Sequence, residues 1–333
     1  MSMNYNFVLT HNDLDALGSV LCLRKKLELS GECITYLENT NYTDLPDKTQ
    51  NILNSCNIIK KNVNFDNPTF TLWIMDVSCN QRTEMIENFT KSFDVVKLID
   101  HHMYADGYLD EMMQRYHNFD AKVSKDNSKC ASMLMYDLIG NHNNERSGRY
   151  SFKNLISTIN AYDLWNTKSE LFEESFWMNE YFREMSKEMT FKDIVKLFEE
   201  PVDECDDWTS GYHESIQGIK TKHECIYNCI KNDPSAYEVH DGLTVLHSLD
   251  CFNDFVYNEM IDGQDMVVGA NTKGYVKVRV KPNVFTKESL DNFRKIVTGS
   301  VEFGHDLAFS VKTSTLLKTI WTICAEYYNL ERI

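Results

Sequence analysis

Basic charge is what this sequence is short of. Its 34 Lys and Arg stand against 50 Asp and Glu, a net charge of −16 with the histidines neutral. A protein that tracks along a polyanion needs a basic groove, because neutralising phosphates supplies most non-specific affinity. The reverse field disfavours long duplex nucleic acid as a partner. It leaves room for a small phosphorylated substrate held by metal ions and a few local cations. Long apolar runs are also lacking. No window holds the roughly eighteen uninterrupted apolar residues of a membrane span, so no membrane is expected as a partner. The first residues, MSMNYNFVLTHND, lack the basic start and long apolar core of a signal peptide, which reads as a cytoplasmic protein. With only 5 prolines and 13 glycines, long disordered linkers are not expected. The 10 cysteines form no C-x-x-C framework for zinc or redox chemistry. Cys225 and Cys229, in HECIYNC with His223, read as two small apolar residues on one helix face rather than as a metal pair.

What is there is enough for two domains with separate cores: 333 residues, 42% hydrophobic and 25% charged. YNFVLT (5–10) reads as a buried strand, and Leu14 to Leu29 as a helix ended by Gly31. CITYL (33–37), TFTLWIM (69–75) and DVVKLI (94–99) follow as strands, with helices over LPDKTQNILNSC and QRTEMIENF between them. Alternating strands and helices at this spacing mean a parallel sheet with crossover helices. After residue 103 helices dominate, at 128–139 and 152–165, with a polar loop over 141–149. Strands return from about 236: AYEVH, LTVLHSL, DMVVGAN, GYVKVRV and HDLAFSV, with a helix over 285–297 and a closing helix near 313–328. The fold class is α/β, an N-terminal parallel-sheet domain with flanking helices followed by a smaller α+β domain. No internal repeat is present.

The chemistry-bearing residues fall at strand ends. His11, Asp13 and Asp15 follow the first strand, Asp76 the third, and Asp100, His101 and His102 the fourth. In an open parallel sheet, ligands bind outside the carboxyl ends of the strands. Residues i, i+2 and i+4 of an extended segment lean to one side, so His11, Asp13 and Asp15 are expected to face one centre. Asp13 also reads as an N-cap of the helix that follows. So many carboxylates in one crevice resist ionisation unless compensated, and two divalent cations are the natural compensation. Mixed imidazole and carboxylate ligands suit Mn²⁺ first, with Mg²⁺ or Co²⁺ as alternatives. Such a pair can activate a water and clamp the oxygens of a phosphoryl displacement.

HNDLDA (11–16), Asp76 and IDHH (99–102) resemble, in order and spacing, the motifs of the DHH phosphoesterase superfamily, and Asp163 in NAYDLW fits its fourth, an aspartate after a helix. The resemblance implies that His11, Asp13 and Asp76 bind one metal, and Asp15, His101 and Asp163 the other, with Asp76 bridging. It implies that His102 contacts the scissile phosphate and that Asp100 orients an imidazole. Ser78 and Asn80 read as the turn after the strand.

The ending resembles, in part, the DHHA1 domain that holds substrate in many of these enzymes. YVKVRVKP (275–282) places Arg279 where that domain has its strand arginine, and TGSVEFGHDLAFSV (298–311) keeps Gly304 and His305 of its glycine loop. Arg279, His305 and Gly304 are thereby candidates to grip a non-scissile phosphate or terminal nucleotide, with Lys277 and Lys281 either extending the patch or solvated. Val301, Glu302 and Phe303 replace glycines that would let backbone N–H groups reach a phosphate. The implied layout is a DHH catalytic domain over 1–190, a helical connector over 191–235 and a DHHA1-like substrate-binding domain over 236–333. The resemblance is to the nanoRNase / RecJ-like branch of the family, and the length, the DHHA1-like ending and the acidic balance point to short substrates. The expected function is metal-dependent hydrolysis of short oligonucleotides or linear or cyclic dinucleotides to nucleoside monophosphates. A phosphomonoesterase or exopolyphosphatase acting on phosphoadenosine phosphate or polyphosphate is one alternative, and a nucleotide-binding protein without turnover another. Association into a homodimer stays open.

Overall fold

The computed structural model describes residues 3–63, 67–124, 126, 128–140, 152–199, 213–247, 254–271, 274–298 and 308–333. The polar segment 141–149 and the Gly304–His305 loop lie outside the described residues. The chain divides into two compact units, Met1–Ile216 and Gln217–Ile333.

In the first unit β1 (Asn4–Thr10), β2 (Ile34–Asn39), β3 (Thr69–Met75), β4 (Val95–Asp100) and β5 (Phe119–Val123) form one sheet in the order β2-β1-β3-β4-β5. Every pair is parallel. The crossovers are α1 (Leu14–Leu29), α2 (Leu45–Asn62), α3 (Thr83–Ser92) and α4 (Tyr108–Arg115). α4 and β5 are elements that the apolar pattern does not announce. The fold class is as expected: a parallel α/β sheet with flanking helices, followed by a second, mixed sheet.

Alternation along the strands divides the core. Phe7, Leu9, Leu72, Ile74, Val96 and Leu98 face the layer containing Ile52 of α2 and Ile86 and Phe89 of α3. Val8, Trp73, Met75 and Ile99 face α1 and a second tier of helices. That tier is α5 (Ala131–Asp137), α6 (Phe152–Asp163), α7 (Phe172–Met185) and α8 (Phe191–Glu199). Gly18 lets α1 approach it closely, since an added Cβ would lie 2.8 Å from both Ile159 Cδ1 and Ser132 Cβ. This contact brings α1, which carries Asp15, against the start of α5 and the end half of α6.

α9 (His213–Lys231) runs across the division between the units. The second unit holds β6 (Tyr237–His240), β7 (Leu243–Leu246), β8 (Met266–Ala270), β9 (Tyr275–Val280) and β10 (Ala308–Lys312), in the order β10-β9-β8-β7-β6. Only β7 and β8 pair in parallel. Its helices are α10 (Asp254–Met260), α11 (Lys287–Thr298) and α12 (Leu316–Tyr327). On α9, Cys225 and Cys229 are both exposed while His223 is buried, so the three do not form a ligand set. The cysteines share a face, as expected, but that face meets solvent. Among the described residues no helix is long and apolar enough to cross a membrane.

Candidate metal centre

The strand order places a switch point between β1 and β3, whose neighbours lead off in opposite directions. A crevice opens at the carboxyl ends there. β1 delivers His11, β3 delivers Asp76, and β4 delivers Asp100, His101 and His102. Asp163 arrives from the last residue of α6. Three overlapping groups result: His11, Asp13 and Asp76; Asp15, His101 and Asp163; and Asp76, Asp100, His101 and His102. Within each, one ligand atom per residue lies within 4.8 Å of all the others.

The first motif does not face one centre, as alternation predicts; its residues fall into the two sets that the resemblance implies. His11, Asp13 and Asp15 do not form an extended row. β1 stops at Thr10, Asp13 takes extended backbone as the N-cap of α1, and Asp15 already belongs to the first helical turn. The turn of the helix directs Asp15 away from its two neighbours and into a different group. Asp13 fills both roles read from the sequence. Its Oδ1 accepts the Ala16 N–H at 2.9 Å while Oδ2 meets His11 Nδ1.

Asp15 is buried and its oxygens accept the N–H groups of Ala131 (2.8 Å) and Ser132 (2.9 Å) at the start of α5. These two amides fix the orientation of the carboxylate. Asp76 has φ 55°, a left-handed conformation that a non-glycine residue seldom adopts, at the end of β3. That turn aims its carboxylate into the crevice. Its Oδ2 is buried with no hydrogen-bond partner.

The electrostatics are those of buried carboxylates and imidazoles crowded together. Burial, reinforced by Asp13 and Asp15, pushes the Asp76 carboxyl well above its ordinary range. Burial also raises Asp163, and although His101 opposes this, Asp15 and Asp13 add to it; the carboxyl is pushed up to about 7. His101 Nε2 sits among three carboxylates, 3.3 Å from Asp163 Oδ2, 3.4 Å from Asp76 Oδ1 and 4.0 Å from Asp15 Oδ2. Burial would lower its pKa, yet these carboxylates prevail and push it up to about 12. Burial likewise raises Asp13, but His11 outweighs it and holds that carboxyl well below the ordinary range. The buried unpartnered oxygen of Asp76 and the mixed imidazole and carboxylate donors fit divalent cations.

Asp100 is fully buried and saturated. Its Oδ1 accepts the His101 N–H (2.8 Å), the His102 N–H (3.3 Å) and His102 Nδ1–H (2.7 Å), while Oδ2 accepts the Tyr104 hydroxyl at 2.6 Å. Burial alone would raise this carboxyl; His102 leads the groups that bring it down to about 2. Ser78 and Asn80 form the turn after β3, where the Ala105 N–H donates to Asn80 Oδ1 at 3.1 Å. Two residues escape sequence reasoning altogether. Tyr104 anchors Asp100, and Tyr42, from the loop after β2, reaches His102 Nε2 at 3.2 Å. The one available signal for Tyr42 was its place at a strand end on the same edge of the sheet.

In the second unit Arg279 lies on β9, as expected, but it is buried and its Nη2 donates to Asp254 Oδ1 at 2.9 Å. Lys277 is also buried and ion-paired to Asp254, so it is neither solvated nor part of an open patch. The reason is α10, which brings Asp254 as a buried counter-charge that the sequence pattern did not foreshadow.

No family model matches the chain, and no curated protein matches it. Among solved structures it is similar to exonuclease RecJ bound to manganese, at 11% identity and TM-score 0.50, over 97% of this chain and 89% of that one. It is also similar to RecJ in complex with Mn²⁺ from Thermus thermophilus, at 12% identity and TM-score 0.51, over 97% of this chain. This chain shares the fold of these RecJ structures. It spans 52% of the length of the Thermus RecJ chain. An uncharacterized protein from Helicobacter pylori aligns over 98% of this chain and 99% of its own, at 16% identity and TM-score 0.45.

Proposed function

We propose that this protein is a metal-dependent phosphodiesterase of the DHH type that hydrolyses short oligonucleotides or dinucleotides to nucleoside monophosphates. The observation that carries this reading is the pair of ligand groups, His11, Asp13 and Asp76 beside Asp15, His101 and Asp163, at the switch point of a parallel sheet. The RecJ-like fold supports it, since RecJ is an exonuclease seen with Mn²⁺.

In this reading the two groups, Asp76 among them, would hold two divalent cations, Mn²⁺ first, with Mg²⁺ or Co²⁺ as alternatives. When bound, the ions supply the positive charge that activates water and neutralises phosphate oxygens. The chain's own residues do the rest. Asp15, tied to α5, and Asp76, fixed by its turn, keep the ligand atoms in place without reorganisation. Asp100 holds the His102 ring, which faces the scissile phosphate, and Arg279, with Gly304 and His305, holds a second phosphate or nucleotide. The net charge of −16 favours short substrates over long strands. The eight described cysteines are all free, in keeping with a cytoplasmic protein.

A Mn²⁺-supplemented assay across oligonucleotides of graded length, with product chromatography, tests this. Release of mononucleotides from two- to five-residue substrates, absent in Asp76→Ala, is the expected result. Turnover of phosphoadenosine phosphate or polyphosphate alone would move the protein to the phosphomonoesterase or exopolyphosphatase class. No turnover of any of them would leave a binding protein.

A further inference from the structure

His102 has both ring nitrogens engaged by the protein. Asp100 Oδ1 already accepts the backbone N–H groups of His101 and His102, so His102 Nδ1, 2.7 Å away, donates the hydrogen between them. That leaves Nε2, which lies 3.2 Å from the Tyr42 hydroxyl. The same hydroxyl oxygen accepts the Ser78 N–H at 3.2 Å, two residues beyond Asp76. A phenol has one hydrogen to give, and with its oxygen already receiving from Ser78 that hydrogen points to Nε2.

The Tyr42 ring is fixed on three sides. It lies 5.5 Å from the His11 ring and 6.2 Å, edge to face, from the His102 ring, and the Arg82 guanidinium stands 6.0 Å from its centroid. A phenol keeps its proton at neutral pH, so the hydroxyl remains a donor. His102 meanwhile belongs to a third ligand group with Asp76, Asp100 and His101. A ring so placed would compete for an ion if its remaining lone pair were open.

We propose that Tyr42 is a positioning residue: with Asp100, its hydroxyl holds His102 in one tautomer and one orientation, out of the ligand set and ready for the substrate phosphate. Only the final clause rests on the function proposed above.

The test is Tyr42→Phe, which keeps the ring and removes the hydroxyl. Histidine side-chain ¹⁵N spectra of the Mg²⁺-loaded full chain are recorded at a pH where the His102 ring is neutral. The wild type shows Nδ1 protonated and Nε2 accepting a hydrogen bond. The variant shows Nε2 shifted to the position of a free or ion-bound nitrogen. An unchanged Nε2 signal overturns the proposal. In the kinetic arm Tyr42→Phe lowers kcat by about tenfold with KM within about twofold, and costs nothing further in a His102→Gln background. Additive losses would mean that Tyr42 does not act through His102, and would also overturn it. If Tyr42→Phe does not fold, the Tyr42 hydroxyl proton of the wild type is followed instead. It exchanges slowly with solvent and becomes fast in His102→Gln, whereas fast exchange in the wild type refutes the arrangement. A chain that hydrolyses nothing defeats the proposed function alone, and the spectra still decide on Tyr42.

Discussion

His101 Nε2 lies 3.3 Å from Asp163 Oδ2, an imidazolium held by the carboxylates that would otherwise surround a cation. With His101 pushed up to about 12, its ring is protonated at neutral pH and must shed that proton before Nε2 can ligate. Asp163, pushed up to about 7, is about half protonated there and must do the same. Mn²⁺ binding should therefore release protons, and affinity should rise as pH goes from about 6 to 8. Titration calorimetry in buffers of differing ionisation enthalpy checks this. Proton-neutral binding would mean that these two groups do not serve as ligands.

Asp76→Asn separates activity from stability. The amide keeps the size and tolerates the left-handed backbone, but loses the charge. Activity should fall below about one hundredth of wild type. A carboxyl raised in the folded state contributes stability below its unfolded value that is lost as pH rises through its folded one. At neutral pH and without metal, the variant should consequently melt higher, by roughly 2–4 °C for about 1 kcal/mol. Melting curves in EDTA measure this, and an unchanged or lower Tm would refute the account of Asp76 as a carboxyl whose ionisation is opposed by burial and by Asp13 and Asp15.

Asp100 has the opposite sign. Its folded value, about 2, lies below the ordinary 3.8, so its contribution is complete above about pH 4 and fades as pH falls toward 2. The shift corresponds to about 2 kcal/mol. Asp100→Asn should cost at least that at pH 7, with the gap to wild type narrowing in acid. Denaturant unfolding at pH 7, 5 and 3.5 follows it. A pH-independent gap would place the loss in packing rather than charge.

For Arg279 the proposed substrate contact and the observed ion pair make different demands. Arg279→Ala should raise KM more than it lowers kcat, and should also destabilise the second unit, because it removes one of the two cations on buried Asp254. Breaking a buried pair costs on the order of 3–5 kcal/mol, less here because Lys277 remains. Parallel Tm and KM measurements decide: a lower Tm with unchanged KM assigns Arg279 a structural role only.

Much of the first unit was legible because buried parallel strands write themselves as apolar runs such as TFTLWIM and because three of those runs, β1, β3 and β4, lead into His or Asp. β5 was not, since FDAKV carries two charges on a half-exposed edge strand and offers no such run. The site residues that follow β1, β3 and β4 were readable from their strand-end positions, whereas Asp163, at the end of α6, and the division into two groups came only through the resemblance. Spacing alone did not show that division, because it depends on Asp15 entering α1 rather than extending β1. Tyr42 and Tyr104 were hidden because a tyrosine in a loop has no spacing that distinguishes a buried hydrogen bond from a surface one. Asp254 was hidden for a related reason: its meaning depends on a cross-chain contact with β9.

The order of the ligands along the chain has a consequence for biosynthesis. The group of His11, Asp13 and Asp76 is complete once β3 has left the ribosome, whereas that of Asp15, His101 and Asp163 waits for the end of α6. Asp15 in turn has nothing to hold until the first amides of α5 arrive. If the two groups hold ions as proposed, a nascent polypeptide would assemble its ligand sets in two stages, and a truncation between β5 and α6 would carry the first alone.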